Sequence, residues 1–313
     1  MSPGPVAVVD IGSNSIKLLV AARGPDGRLA ALKSRTIDAR ISAGISQAAP
    51  RLGTEGMARG LEAIRSLLAD AAAFAPTRTI LVATSAVRDA VNGAEFREDV
   101  RAATGHAIRI LSGDEEANLI GCGLTADPAL RELRDFYVFD LGGGSLECLR
   151  FEDRKSRQAV SLQLGCVRLT ERFVQDPAAP LVEAEASALA RHVCAEFKRS
   201  GFRCPLATPA AVFAGGTMTT IRAIKAARHG VSLEDTPAVI ATADIAFLLD
   251  EIAPMTLAQR QAIPGLPAAR ADVFPAALVT IVSVAEYANI GTFHHSLYNL
   301  RWGLAAEALE SRL

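Results

Sequence analysis

One pattern occurs twice in this chain, and it restricts the fold more than any other feature. Val6 to Val20 reads VAVVDIGSNSIKLLV, and Phe136 to Phe151 reads FYVFDLGGGSLECLRF. In each copy an apolar run ends at an aspartate, turns through glycine, small residues and a serine, and leaves as a second apolar run. The runs have the composition of buried strands, and the glycines mark a tight turn between them. The two aspartates, Asp10 and Asp140, lie 130 positions apart. A single DxGxxS carries little information, since glycine turns after strands are common. Two copies in the same strand–turn–strand setting, one per half-chain, imply a duplicated α/β unit.

The intervening segments agree. Strands are predicted at Val6 to Val9, Ile16 to Val20, Arg28 to Asp38, Ile80 to Ala83 and Ile108 to Leu111. Helices are predicted at Thr54 to Phe74 with Thr54 as N-cap, at Val87 to Ala103 and at Glu115 to Leu124. After Asp127-Pro128 the order restarts: strands Phe136 to Phe139, Glu147 to Phe151 and Ala159 to Leu164, then helix Leu181 to Phe197, strand Ala211 to Ala214 and helix Thr217 to Ala227. A long apolar helix follows the loop at Pro264 to Pro267, with Pro275 in its first turns. At 313 residues the chain has the length of two ordinary domains.

The repeated turn suits one chemistry. Glycine and serine bring backbone N–H groups close to a phosphoryl group without an intervening side chain. Ser13, Asn14 and Ser15 in the first copy, and Gly142, Gly143, Gly144 and Ser145 in the second, are the candidate phosphate cradles. The strand-end carboxylates Asp10 and Asp140 are placed to hold Mg²⁺, which takes oxygen ligands and keeps part of its water shell. A third turn, Gly215-Gly216-Thr217, lies between a strand and a helix, where the helix N-terminus offers unpaired N–H groups. Neither a Walker A sequence nor GxGxxG occurs.

Composition removes other classes. With 33 Lys and Arg against 34 Asp and Glu, the net charge of -1 argues against a surface that wraps nucleic acid. Twelve Phe, 3 Tyr and 1 Trp are too few for base-stacking platforms. The 5 cysteines contain no CxxC and read as idle thiols of a reducing compartment. The 5 histidines show no HExxH spacing, which makes a His-built metal site a poor reading. The N-terminus has no basic region ahead of an apolar run, and Val273 to Ala285 is too short to span a bilayer. The expectation is a soluble, cytoplasmic protein with no membrane or nucleic-acid partner.

Eight segments occur in a telling order: DIGSNSIKLLV from Asp10, ATSAVRDAVN from Ala83, SGDEEANLI from Ser112, DLGGGSLE from Asp140, LGCVRLTERF from Leu164, AGGTMTTI from Ala214, ARADV from Ala269 and LYNLRWGL from Leu297. Together they resemble the exopolyphosphatase and guanosine pentaphosphate phosphohydrolase family. That family belongs to the superfamily of actin, the sugar and acetate kinases and the large heat-shock chaperones. The length resembles the short, two-lobed members, without room for the extra C-terminal helical domain of the long ones. The resemblance implies two actin-like (ribonuclease H-like) α/β lobes, residues 1–125 and 126–313, with a cleft between them. The last helix is one that could pack back on the first lobe. It also implies Mg²⁺-dependent hydrolysis of a terminal phosphoanhydride, with inorganic polyphosphate as first-choice substrate and guanosine pentaphosphate as the alternative. A homodimer is expected only because two-fold oligomers are common.

By the same resemblance Glu116 is the general base, with Asp114 and Glu115 as solvated or capping acids. Bound phosphates disfavour its ionised form and bring its proton affinity towards a useful range. Glu147 follows GGGS, on the strand face opposite Leu146 and Cys148, and is implied to orient water or metal. The competing reading is an edge-strand charge facing solvent. Arg88 is the ranked phosphate-binding cation. Arg270 and Arg301 are weaker candidates, and Lys17, Arg168 and Arg172 read as solvent-facing. Two positions depart from the family pattern: Pro275-Ala276 stands where proline-glycine is usual, and Asn299 where glycine is common, a mild change because Asn tolerates a left-handed turn. Two rival classes remain, an actin-type ATP-binding switch or scaffold and a kinase. Paired acids count against the first, and no acceptor pocket or aspartate base can be named for the second.

Overall fold

The computed structural model describes residues 4–42, 44–206 and 210–310; the first three residues of the N-terminal segment discussed above lie outside them. Two compact units form, Met1–Arg131 with Tyr298–Leu313, and Glu132–Leu297.

The first unit runs β1 (Val6–Ile11), β2 (Ile16–Arg23), β3 (Leu29–Ile37), α1 (Thr54–Ala72), β4 (Arg78–Ala83), α2 (Ser85–Arg88), α3 (Gly93–Thr104), β5 (Ile108–Ile110) and α4 (Gly113–Thr125). Its sheet has the order β3-β2-β1-β4-β5. The strand pairs β1–β2 and β2–β3 are antiparallel, while β1–β4 and β4–β5 are parallel. Every residue of β1 is buried, as a strand covered on both faces requires.

The second unit repeats this plan. It contains β6 (Phe136–Leu141), β7 (Leu146–Glu152), β8 (Lys155–Leu162), α5 (Cys166–Phe173), α6 (Glu183–Ser200), β9 (Ala210–Ala214), α7 (Gly216–His229), β10 (Val239–Ala241), α8 (Thr242–Ile252), α9 (Leu257–Gln261), α10 (Phe274–Ala288) and β11 (Thr292–His295). Sheet order is β10-β11-β9-β6-β7-β8. Read from β8, this is the first sheet's order with β10 added at the far edge. The scarce aromatics gather here: the Phe139 ring lies within 6.1–6.5 Å of those of Tyr137, Phe197, Phe202, Phe213 and Phe293. Both units are therefore mixed α/β lobes of the duplicated type. A last helix, α11 (Leu300–Glu310), returns to the first unit.

The units divide after Arg131, where a bound at residue 125 was expected, and α11 packs back on the first unit, as the last helix was expected to be able to do. The reason is close backbone packing: a Cβ on Gly303 would strike the carbonyl of Leu119, and one on Gly123 would strike that of Asn299. Three expectations about single elements are corrected. The N-cap of α1 is Gly53, with no side-chain cap bond, and Thr54 is the first helical residue. The single helix expected over Val87 to Ala103 is two, α2 and α3. Asn92 in the break accepts from Leu52 N at 2.9 Å and donates to Leu52 O at 3.0 Å, a pairing of distant segments that periodicity does not register. Asn299 is not in the left-handed region; its side chain accepts from Arg301 N at 3.3 Å, as a helix N-cap does.

Candidate functional site

In the first unit the hairpin β1–β2 carries the first cradle. Asp10 pairs in register with Lys17 and Ile11 with Ile16, and Gly12 N donates to Ser15 O at 3.2 Å to close the turn. Asp10, Ser13, Asn14 and Ser15 are all buried. Ser42 Oγ donates to Ser13 O at 3.1 Å, and Arg40 N to Asn14 O at 2.9 Å, so the segment after β3 clamps the turn. Neither polar atom of the Asn14 side chain has a partner. A buried amide in that condition points to a ligand group.

Glu116 and Arg88 come together in the same unit. Ser112 and Glu115 form a reciprocal capping box at the start of α4, and Arg109 bonds Glu115 as well. These hydrogen bonds, that from Ser112 N foremost, hold the exposed Glu115 carboxyl down at about 2. Glu115 is thereby used up as a cap, as expected, and Asp114 is exposed. One residue further round the helix, Glu116 is buried and accepts from Arg88 Nη1 at 3.3 Å. Arg88 lies at the end of α2, one short helix beyond the strand end expected for it. It also donates to Leu111 O at 3.0 Å and Asp89 Oδ1 at 3.3 Å.

The second unit builds a cradle of the same register. Asp140 faces Glu147 and Leu141 faces Leu146 across β6–β7, and Gly142 N donates to Ser145 O at 3.0 Å. Glu147 is 2 % exposed and its strand is flanked on both sides, by β6 and β8. The solvent-facing edge reading therefore fails. Ser161 Oγ donates to Glu147 Oε1 at 2.8 Å. Behind the loop, Cys166 N donates to Gly142 O at 3.0 Å and Val167 N to Gly143 O at 2.9 Å. Gly165 is obligatory there, since a Cβ would overlap the Gly143–Gly144 backbone. Arg168, expected in solvent, donates from Nε to Gly144 O at 2.9 Å.

The third turn joins this group. Gly215 has φ +95, and a Cβ on it would come within 2.5 Å of Asp140 Oδ1. A Cβ on Gly216 would collide with the Arg270 guanidinium, which thus covers the start of α7 beside buried Thr217. Arg270 is accordingly placed at the second unit's cradle. Arg301 is not at a cradle: it is buried and donates to Leu18 O at 2.9 Å, tying α11 to β2.

Comparison with known proteins fits this geometry. Residues 19–312 match the model of the Ppx/GppA phosphatase family. The chain belongs to that family. It is 30% identical over 319 residues to the guanosine-5'-triphosphate,3'-diphosphate pyrophosphatase of Vibrio atlanticus (strain LGP32), across 99% of this chain. It spans only 60% of the length of that curated relative. Among solved structures it is similar to an exopolyphosphatase from Cytophaga hutchinsonii, at TM-score 0.89 and 22% identity over 98% of each chain. A second is the Aquifex aeolicus Ppx/GppA family member, at TM-score 0.78 and 25% identity over 98% of each chain.

The family implies a divalent cation, and the carboxylate oxygens of Asp140 and Glu147 at the second cradle are donors of the type such an ion takes. Asp140 and Glu147 stand opposite each other on one ladder, and each has an interaction partner within the fold. At the equivalent positions of the first cradle, Asp10 faces Lys17. No group of three or more His, Cys, Asp or Glu side chains able to hold a metal occurs among the described residues. Water and phosphate oxygens would complete the set, as is usual for Mg²⁺.

Beside the third turn lies a histidine that sequence reasoning did not single out. His295 is 6 % exposed; burial, then the charge of Arg222, press its pKa down to about 3. The fold favours the neutral ring, so the unfolded chain takes up the proton first. Its stability contribution is complete above about 6.5 and is lost as pH falls towards 3. Denaturation midpoints at pH 7.5 and pH 5 should therefore differ, by on the order of a few kcal/mol at most for this one group. In His295→Gln that difference should shrink; a difference of the same size in both proteins would rule His295 out as its source.

Proposed function

We propose that this chain is a Mg²⁺-dependent hydrolase that releases terminal phosphate from inorganic polyphosphate. The observation that carries the reading is the pair Glu116–Arg88, a buried carboxylate held by a guanidinium in a chain that also builds three glycine turns for phosphate. In this reading Arg88 turns its donors to substrate phosphate, and Glu116 takes a proton from the attacking water. Like charge on the bound phosphates strengthens the carboxylate's hold on that proton. Asn14 offers its unpaired amide to a phosphate oxygen, and Gly216 and Arg270 offer donors at the third turn. Asp140 and Glu147 would hold Mg²⁺. Bound there, the ion would neutralise phosphate charge as it builds on the leaving oxygen. Positioning and neutralisation are most of what a protein supplies to phosphoryl transfer.

Guanosine pentaphosphate is the second reading, because it presents the same terminal anhydride and the Vibrio relative carries a name for chemistry on that nucleotide. A binding switch without hydrolysis has no use for two buried acids. We take the cytoplasm as the protein's compartment, since a reducing environment suits five free cysteines. Among the described residues no helix is long and apolar enough to cross a membrane. Purified protein with Mg²⁺, offered polyphosphate of several lengths, guanosine pentaphosphate and ATP, should release phosphate fastest from polyphosphate. Faster release from the nucleotide would select the second reading, and no release from any of them would end both.

A further inference from the structure

The third glycine turn is wired to the buried histidine behind it. Arg222 Nη1 lies 3.0 Å from His295 Nδ1, and a guanidinium can only donate. Nδ1 is therefore the acceptor, and the ring proton sits on Nε2. Nε2 lies 3.2 Å from Thr219 Oγ1, which must accept from it. The single hydroxyl proton of Thr219 is then left for Gly215 O, 3.1 Å away. Gly215 O also faces Thr219 N at 3.4 Å. Arg222 is fixed at its other end, donating from Nη2 to Leu233 O at 2.8 Å and to Thr236 O at 2.5 Å. Donor and acceptor roles run one way along the whole chain of bonds.

We propose that His295 and Thr219 are positioning residues that aim the Gly216 N–H at bound phosphate. In a trans peptide the carbonyl and the next N–H point in opposite directions. Drawing the Gly215 carbonyl into the first turn of α7 therefore turns the Gly216 N–H outward from the helix start, while the Arg270 guanidinium lies on the Cβ side of the same glycine. A glycine at φ +95 has no side chain of its own to fix its carbonyl; the hydroxyl bond adds a second, shorter hold to the 3.4 Å bond from Thr219 N. A helix start with its first N–H held at a fixed angle binds an anion better than one that must be ordered on binding.

The inference rests on the phosphate-binding part of the proposed function, and its test is separable from it. Binding of inorganic tripolyphosphate with Mg²⁺ is measured by calorimetry for the wild type, Thr219→Val, Thr219→Ser, His295→Leu and His295→Gln, beside thermal midpoints and the KM and kcat for polyphosphate. Thr219→Val and His295→Leu should weaken tripolyphosphate binding about tenfold and raise KM in step, the effect of misaiming one hydrogen bond to a charged group. Thr219→Ser keeps the hydroxyl and His295→Gln keeps an N–H donor, and both should bind within about twofold of wild type. Folded Val and Leu variants with wild-type affinity overturn the proposal, leaving these bonds as core satisfaction only. So does equal weakening in all four. If His295→Leu does not fold, Thr219→Val decides, since it preserves shape. A wild type that binds tripolyphosphate without hydrolysing polyphosphate removes the proposed reaction but leaves this test intact; one that does not bind removes both.

Discussion

Glu116→Gln is expected to lower the turnover of polyphosphate on the order of 10²–10⁴-fold, the usual contribution of a general base. The amide keeps the size of the side chain and can still accept a bond from Arg88, so the start of α4 should stay intact. The capping box that forms this helix end uses Ser112 and Glu115, not Glu116. KM should therefore move little while kcat collapses, and the thermal midpoint should hold. Phosphate release measured over a range of polyphosphate concentrations separates these effects. Turnover within a few-fold of wild type would remove Glu116 from the chemistry and leave it as a counter-ion for Arg88.

The second large effect concerns stability. Gly303→Ala replaces a poor helix former with the best one inside α11, a change that on propensity alone would stabilise by about 1 kcal/mol. Packing opposes it. The new Cβ would overlap the carbonyl of Leu119 and lie 3.2 Å from Gly123 N, and these are backbone atoms of α4 that cannot rotate away. Overpacking of this sort costs about 1–3 kcal/mol, and rigid neighbours place it at the upper end. The net expectation is a loss, seen as a thermal midpoint several degrees lower for a unit of this size. A midpoint equal to wild type or higher would mean that α4 and α11 separate easily, and the glycine contact would lose its significance.

Much of the site was legible in the residues. Asp10, Asp140, the serines and the glycines fall on two hairpin turns of the same register, as their repeated order implies. Glu115 declared itself a cap through Ser112 three residues earlier. Arg168 did not, because its bond to Gly144 O joins segments 24 residues apart and an arginine in a helix usually faces water. His295 had no motif around it. Its role appears only where β11 lies beside β9 and brings the ring to Thr219 and Arg222. Arg270 and Arg301 looked alike as isolated arginines, and their neighbours separate them: one covers Gly216, the other is bonded into β2.

The duplication was determined by the sequence alone, since strand, acid, glycine turn and strand are local patterns that the backbone must satisfy wherever they occur. Tertiary structure decided what stands opposite each aspartate. In register Asp10 meets Lys17, whereas Asp140 meets Glu147, so matching turns carry different cross-strand neighbours. It also decided that the last helix completes the first unit. That outcome depends on Gly123 and Gly303 letting two backbones touch, a contact between residues 180 positions apart that no local pattern encodes.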